Sequence, residues 1–278
     1  MKKQYAIIGD PVRHSLSPAI YNTIFDYYGI NAGFVSIRVK RSELRYIKNI
    51  IKTNSLSGFT CTMPHKREII RYLDWISVNA SEIGSVNVVI NQDDALIGYN
   101  TDGGGMLGAI MSTGYCVKDI RAVILGAGGA ARAAAYALAT VANSVSIVAR
   151  RHEQAHRLST LIESWGCRSE AYGWRDMSSA CKNAGLLINA TPIGMEGQSD
   201  FDDEAALGML NKNALVLDMV YKPRETLLVR LAREIGLRCE NGLGMLLEQA
   251  YGAFRIWTGI SACDECREAV KCVLETVQ

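Results

Sequence analysis

A glycine-rich turn between an apolar run and an alanine-rich stretch constrains the fold of this chain most. The run Arg121–Leu125 predicts a strand, and the residues after the turn favour a helix. A strand that ends in G-x-G-x-x-A and leads directly into a helix is typical of dinucleotide binding. Gly126 permits the tight turn, Gly128 lets the backbone approach a pyrophosphate, and Ala131 allows close helix packing. A glycine-rich turn in another kind of α/β protein is the alternative. The predicted cofactor contacts in this turn are Gly126, Ala127, Gly128, Gly129 and Ala130.

Strand and helix signals alternate through the second half of the chain. The predicted strands are Ala122–Leu125, Val145–Val148, Leu186–Asn189 and Val216–Met219. Helical stretches separate them, which predicts parallel pairing with right-handed crossovers and therefore a doubly wound sheet. We expect residues 103–242 to form a Rossmann-type domain that binds the dinucleotide.

The first hundred residues predict a separate α/β domain, residues 1–102, against which helices in residues 243–278 pack. Its predicted strands are Tyr5–Ile8, Phe34–Val39 and Gly58–Met63, with a hairpin of Val86–Ile90 and Leu96–Tyr99. We expect a helix with Ser17 as its N-cap and Pro18 at its first position. Two more helices are expected, at Ser42–Thr53 and after Pro64.

Composition disfavours several classes of protein. The chain has 278 residues, a formal net charge of +2, 4 His and 5 Pro. These values argue against a nucleic-acid partner, a metal-rich site and a disordered chain. No apolar stretch approaches the roughly 20 residues of a membrane span, and the apolar part of the N-terminal segment is too short for a signal peptide. We expect a cytoplasmic protein that binds a small molecule and no metal.

The 8 cysteines are interpreted as reduced thiols. Cys263 and Cys266 form a C-x-x-C, but no second cysteine pair or histidine cluster lies nearby in the sequence to complete a zinc site.

Two arginines at the end of a predicted strand favour NADP(H) over NAD(H). An acidic residue about 20 residues past the glycines holds the ribose 2′-hydroxyl of NAD in this fold. Here Arg150 and Arg151 follow the second strand, and their guanidinium groups suit a 2′-phosphate. Glu153 is the nearby acid, and we expect it in the first turn of the next helix. A solvated basic loop is the alternative interpretation of the two arginines.

Three loops carry polar residues where functional sites are often built. Gly9–Pro18 places Ser15 and Ser17 beside a helix start, which predicts either an anion site or simple helix capping. Thr62–Lys66 places a lysine just beyond a strand, where a solvated surface charge is the alternative. Asn100–Gly103 is either a functional segment or a turn and helix cap.

Taken together, these segments resemble the shikimate dehydrogenase family over nearly the whole chain. The matching segments are Gly9–Pro18, Thr62–Lys66, Gly84–Asn87, Asn100–Gly103, Gly126–Arg132, Asn189–Gly194, Asp218–Pro223 and Gly242–Gln249. The resemblance implies an NADP-dependent oxidoreductase that reduces 3-dehydroshikimate to shikimate, in the biosynthesis of aromatic amino acids.

The resemblance also implies roles for individual residues. Ser15 and Ser17 would hold the substrate carboxylate. The ring substituents would be contacted by Thr62, Asn87, Tyr221 and Gln249. Lys66 and Asp102 would form a catalytic pair that also contacts substrate, with Lys66 as the proton carrier. The nicotinamide would lie against Met219 and Gly242, and Thr191 would lie along the cofactor.

The chain departs from the family pattern at two places. Thr60 and Cys61 replace Asn and Val before Thr62, which loses an amide near the substrate. Ala149–Arg151 replaces the usual N-R-T, which removes an amide and a hydroxyl and adds a cation. His65, beside the lysine, is expected to face solvent.

The sequence leaves other functions open. A quinate/shikimate or aminoshikimate dehydrogenase is an alternative within the class. An inactive NADP-binding regulator is an alternative outside it, and the presence of both Lys66 and Asp102 argues against that. The expected assembly is a monomer or a homodimer.

Overall fold

The computed structural model describes residues 2–277, which divide into two compact units. The first unit is Met1–Thr101 with Gln249–Gln278, and the second is Asp102–Glu248. The sequence-based boundaries placed Asp102 and residues 243–248 with the first domain, whereas by their contacts they belong to the second unit.

The N-terminal segment of the first unit supplies a mixed sheet and its helices. Its elements are β1 (Lys3–Gly9), α1 (Ser17–Tyr27), β2 (Ala32–Arg38), α2 (Ile47–Thr53), β3 (Leu56–Cys61), β4 (Trp75–Ile76), α3 (Val78–Ile83), β5 (Val88–Gln92) and β6 (Ala95–Tyr99). The strand order is β2-β1-β3-β5-β6-β4. The β1 strand pairs in parallel with β2 and β3, whereas β3, β5 and β6 pair antiparallel. The predicted strands and the hairpin are therefore confirmed.

The predicted helices of this unit need three corrections. Helix α1 begins at Ser17 itself, so the expected capping role of Ser17 is wrong. The predicted helix Ser42–Thr53 is a 3-10 turn over Arg41–Tyr46 followed by α2. The stretch after Pro64 is a 3-10 turn over Glu68–Tyr72. It stops there because Asp74 fixes the chain against β6: its N–H donates to Leu96 O (2.9 Å) and its carboxylate accepts from Leu96 N (2.9 Å).

Each face of this sheet has its own apolar layer. One face packs Ile8, Phe59 and Val89 in a core with residues of α2 and α3. On the other face, Trp257 lies 4.6 Å from Tyr5 between ring centroids, and its indole N–H donates to Val89 O at 3.1 Å. The Trp257 ring also lies near those of Tyr21 from α1 and Phe34 from β2, at tilted angles and with centroid distances of 5.1 and 6.1 Å.

The second unit supplies an entirely parallel sheet. Its elements are α4 (Asp102–Ser112), β7 (Arg121–Leu125), α5 (Gly129–Ala139), β8 (Ser144–Ala149), α6 (His152–Ser164), β9 (Arg168–Gly173), α7 (Met177–Cys181), β10 (Leu186–Asn189), α8 (Glu204–Gly208), β11 (Leu215–Asp218), α9 (Leu227–Glu234) and β12 (Arg238–Glu240). Two longer helices follow, α10 (Leu243–Thr258), which contributes residues to both units, and α11 (Asp264–Val277).

The strand order of the second sheet is β12-β11-β10-β7-β8-β9. Every pairing is parallel, and β7 lies at the centre, where the order of the strands reverses. This is the 3-2-1-4-5-6 order of the Rossmann fold, so the predicted doubly wound domain is confirmed. The sequence did not predict the two edge strands β9 and β12, because neither contains a continuous apolar run.

No helix among residues 2–277 is both long and apolar enough to cross a membrane. In the same part of the chain, His, Cys, Asp and Glu side chains do not gather in groups of three that could hold a metal ion.

Candidate functional site

The predicted substrate residues of the first unit lie at one edge of its sheet. Strands β1 and β3 are parallel, so both end at this edge, and Thr62 N donates to Ile8 O at 2.9 Å just beyond them. Strand β5 begins at the same edge because it runs antiparallel to β3, and Cys61 N donates to Asn87 O at 2.8 Å. The carboxyl ends of parallel strands in open α/β sheets are where ligands bind.

Ser15 and Ser17 lie at the start of α1, on the loop that follows β1. Ser15 Oγ accepts a hydrogen bond from Ser17 N at 3.2 Å, so the hydroxyl that serves the helix start belongs to Ser15. Ser17 is buried and Ser15 is half-buried. Both hydroxyls therefore stand beside the N–H groups of a helix start, where an anionic group is favoured.

The loop that carries Lys66 is fixed from both sides. Val86 N donates to Lys66 O at 2.7 Å, and His65 N donates to Thr62 O at 2.9 Å. The His65 side chain is fully buried, with its Nε2 2.6 Å from Val39 O. The expectation that His65 faces solvent is therefore wrong, because its imidazole supplies the donor that the buried Val39 carbonyl needs. Lys66 itself is half-buried.

Asn87 and Gln249 meet in one hydrogen-bond network within the first unit. Asn87 Nδ2 lies 3.2 Å from Gln249 Oε1 and 3.0 Å from Thr101 Oγ1, and Thr101 N donates to Asn87 Oδ1 at 2.8 Å. Thr101 Oγ1 also lies 3.1 Å from Gln249 O. The sequence predicted both amides but missed Thr101. Its position inside the Asn100–Gly103 segment was the available signal.

Thr60, which replaces the family's Asn, is buried in β3 between Ile7 and Val88 of the neighbouring strands. Its hydroxyl has no hydrogen-bond partner among the residues that the structure describes. The shorter side chain thus leaves a buried polar atom at this position, where the family pattern has a longer amide.

The predicted glycine turn follows β7 in the second unit as expected. Gly126 has φ +107°, and a Cβ there would lie 3.0 Å from Thr191 Cγ2. Only glycine adopts this conformation readily. Gly128 is exposed and precedes the first residue of α5, Gly129, and a Cβ on Gly128 would meet no atom within 4 Å. This helix start therefore has the backbone and the open space that a pyrophosphate needs.

Arg150 and Arg151 follow β8 directly, and both are exposed. Neither forms an ion pair with a carboxylate of residues 2–277. Glu153 lies in the first turn of α6, as predicted, where its carboxylate is 3.6 Å from Arg157 Nη2. The end of β8 is thus cationic, and neither residue that directly follows it carries the carboxylate that would hold the ribose of NAD.

A buried polar network joins the ends of β10 and β11. Asp218 is fully buried and accepts hydrogen bonds from Asn189 Nδ2 (2.8 Å), Val220 N (3.0 Å) and Thr226 Oγ1 (2.6 Å). Asn189 Oδ1 in turn accepts from Thr191 Oγ1 at 2.6 Å. Burial raises the pKa of the Asp218 carboxyl, against hydrogen bonds from Thr226, Val220 and Asn189 that favour its charged form. Sequence reasoning missed this network.

Four other predicted residues belong to the second unit, and two of them, Met219 and Gly242, lie close to this network. Met219 N donates to Asn189 O at 2.9 Å, and Gly242 N donates to Val220 O at 3.1 Å. A Cβ on Gly242 would overlap the Met219 backbone, so these two predicted nicotinamide contacts are neighbours. Tyr221 is half-buried on the segment after β11, and Asp102 is the buried first residue of α4.

Two family models match the chain. The model of the shikimate dehydrogenase substrate binding domain matches residues 7–89. The model of the shikimate 5'-dehydrogenase C-terminal domain matches residues 242–262.

Curated relatives align with almost the whole chain. A shikimate dehydrogenase (NADP(+)) of Pyrococcus furiosus is 40% identical over 257 residues, covering 92% of this chain and 90% of the relative. One from Alkaliphilus oremlandii is 37% identical over 267 residues, covering 93% and 92%.

Solved structures share the fold over the same extent. A shikimate dehydrogenase in complex with NADP+ has a TM-score of 0.88 at 35% identity, covering 100% of this chain and 96% of that chain. The Listeria monocytogenes shikimate 5-dehydrogenase, in complex with shikimate and NAD, has a TM-score of 0.87 at 31% identity, with coverage of 100% and 96%. A 5-ketofructose reductase of Gluconobacter has a TM-score of 0.84 at 30% identity, covering 100% and 99%. Identity this high over nine tenths of both chains, together with the site residues described above, shows that this chain belongs to the shikimate dehydrogenase family.

Proposed function

We propose that this protein is an NADP-dependent dehydrogenase that interconverts 3-dehydroshikimate and shikimate, with reduction as its working direction in aromatic amino acid biosynthesis. The observation that carries the proposal is the set of side chains at one edge of the first unit's sheet. Thr62 and Lys66 follow β3, and Asn87 directly precedes β5, which pairs with β3. Gln249 joins Asn87 there. A lysine, a hydroxyl and two amides suit a ring that bears hydroxyl groups and one ketone.

The carboxylate of the substrate is assigned to the start of α1. The hydroxyls of Ser15 and Ser17 can both donate to a carboxylate, and the helix start favours a negative charge. Asn87, Gln249 and Thr62 are assigned to the ring hydroxyls, with Tyr221 from the second unit. The network through Thr101 holds both amides in one orientation, which reduces the entropy lost on binding.

Lys66 is assigned as the proton carrier. When bound, NADPH supplies the hydride that reduces the ketone carbon. Negative charge then develops on the ketone oxygen, where the Lys66 ammonium can stabilise it and donate a proton. In the reverse direction the neutral amine accepts that proton. Asp102 is assigned to orient Lys66 and to accept a hydrogen bond from a substrate hydroxyl.

The cofactor is assigned to the turn after β7. Gly126–Ala130 would hold the pyrophosphate, and Arg150 and Arg151 the 2′-phosphate. Met219 and Gly242 would border the nicotinamide, and Thr191 would lie along the cofactor. The Thr191 hydroxyl is engaged with Asn189, so Thr191 would meet the cofactor through its methyl group or its backbone. A lower KM for NADPH than for NADH is the expected result, and a preference for NADH would contradict the arginine assignment.

Two observations make other substrates candidates beside 3-dehydroshikimate. Thr60 shortens the side chain at a buried position of β3, and a 5-ketofructose reductase shares the fold at 30% identity. Quinate, aminoshikimate or a sugar-derived ketone are therefore the competing substrates.

A substrate panel tests these assignments. The purified protein is assayed by NADPH absorbance with 3-dehydroshikimate, 3-dehydroquinate, the amino analogue and 5-ketofructose, and with the matching alcohols in reverse. We expect the highest kcat/KM with the shikimate pair. A higher kcat/KM for another compound would replace the proposed substrate. NADPH binding without oxidation of the cofactor by any compound would instead favour the inactive regulator.

A further inference from the structure

The C-x-x-C of the chain lies at the start of α11, in the first unit. Cys263 directly precedes the helix, and Cys266 is in its first turn. The Cys266 side chain is fully buried, whereas that of Cys263 is half-buried. The proposed reaction uses neither residue.

Two tyrosines from the end of α1 hold Cys263 in place. Its Sγ lies 3.5 Å from Tyr27 Oη, within hydrogen-bond distance for sulfur. Its backbone N–H donates to Tyr28 Oη at 2.8 Å, and that hydroxyl lies 3.2 Å from Ser261 O. The Tyr28 hydroxyl therefore fixes the backbone of the segment before α11, and the Tyr27 hydroxyl lies beside the thiol.

The surroundings of the Cys263 sulfur favour a thiolate. The Tyr27 hydroxyl, which can donate to the thiolate, lowers the pKa of the Cys263 thiol most, and the Cys266 N–H lowers it further, against desolvation and the Glu265 carboxylate. The same contact raises the pKa of Tyr27 to about 12. Burial raises the pKa of Cys266. The two thiols thus differ in the way that distinguishes an attacking from a resolving cysteine.

We propose that Cys263 is a reactive thiol, open to modification by small electrophiles and peroxides, and that Cys266 is its resolving partner. The Cys263 thiolate attacks hydrogen peroxide, whose O–O bond breaks, to give a sulfenic acid and hydroxide. The Cys266 thiol then displaces the sulfenic oxygen as water, and the S–S bond forms. The two thiols lose two electrons to the peroxide, and the hydroxide takes up the proton that Cys263 released on ionising, which forms a second water.

Limited alkylation with iodoacetamide at neutral pH, followed by peptide mass spectrometry, tests the first part. Cys116 and Cys272 are more exposed than Cys263 and serve as internal controls. If exposure alone set the rates, these two would react first. We expect Cys263 to react first. Each unit by which its pKa is lowered should raise its alkylation rate about threefold. Faster labelling of Cys116 and Cys272 would overturn the proposal.

Two variants, each with a matched control, test the environment of Cys263 and the role of Cys266. Tyr27→Phe removes the hydroxyl at an exposed position and should slow labelling of Cys263, whereas Tyr46→Phe, another exposed tyrosine, should not. Equal labelling rates in the two variants would contradict the role of Tyr27.

After peroxide treatment we expect a Cys263–Cys266 disulfide, and Cys266→Ser should leave a sulfenic acid on Cys263 that dimedone traps. Absence of both products would overturn the resolving role, and Cys272→Ser is the matched control.

Discussion

At the scale of single residues, Lys66 carries the proposed proton transfer on a backbone held by Val86. Lys66→Ala removes the only group assigned to donate to the ketone oxygen, and general acid catalysis contributes roughly 10²- to 10⁴-fold. We expect kcat to fall by that factor. The Kd of NADPH should stay nearly unchanged, because Lys66 lies outside the assigned cofactor contacts. Steady-state kinetics and fluorescence titration of NADPH measure the two quantities.

The control for this variant is Lys52→Ala, which removes an exposed lysine of α2 from the same unit. It should leave both quantities unchanged. Turnover like that of the native protein in Lys66→Ala would remove Lys66 from the mechanism.

Arg150 and Arg151 make a prediction about cofactor selectivity. Hydrogen bonds to charged groups contribute about 1.5–3 kcal/mol. Because both arginines are exposed at the end of β8, we expect their hydrogen bonds to the 2′-phosphate to contribute at the low end of that range. In Arg150→Ala with Arg151→Ala we expect the KM of NADPH to rise about tenfold and that of NADH to stay the same. Arg157→Ala, whose charge pairs with Glu153 on α6, is the matched control and should change neither. An equal rise for both cofactors would contradict 2′-phosphate binding.

At the scale of elements, Asp218 links the ends of β10 and β11 through a carboxyl group without solvent contact. Its raised pKa means that the folded protein holds this proton more tightly than the unfolded chain, in which the pKa is near 3.9. The stability that Asp218 contributes is therefore fully present below about pH 3.9 and is lost as the pH rises through the higher folded pKa.

Asp218→Asn keeps the shape of the side chain and removes its titration. The free energy of unfolding of the native protein minus that of the variant should therefore fall as pH rises above about 4. Urea unfolding across this pH range measures the difference. Asp74→Asn is a control of opposite sign, because the Leu96 N–H and Lys48 lower the pKa of Asp74. A pH-independent difference for Asp218→Asn would contradict the prediction.

The elements also show what sequence patterns can predict. The turn at Gly126 was predictable, because its signal is local: a strand, a positive φ and a helix start follow one another. The burial of His65 was not, because it depends on the Val39 carbonyl, 26 residues away. The Asp218 network escaped prediction for the same reason, since its partners come from separate strands and loops.

At the scale of the whole molecule, Thr101 is the last residue before the second unit and Gln249 is the first residue after it. The two are hydrogen-bonded to each other, with Thr101 Oγ1 3.1 Å from Gln249 O. The two apolar cores of the second unit draw only on residues 106–245. We expect a fragment of residues 102–248 to fold alone and to bind NADPH, as judged by cooperative urea unfolding and fluorescence titration. A fragment without a cooperative transition would show that the second unit depends on the first.

The packing of Trp257 against Tyr5, Tyr21 and Phe34 has a consequence for the order of synthesis. The strands of the first unit leave the ribosome early, but the helix that covers their aromatic face is made only after the second unit is complete. At roughly 5–20 residues per second, this face waits on the order of ten seconds for its cover. During that interval Tyr5, Tyr21 and Phe34 pack only with aromatic rings of their own segment, and the Trp257 indole joins them last.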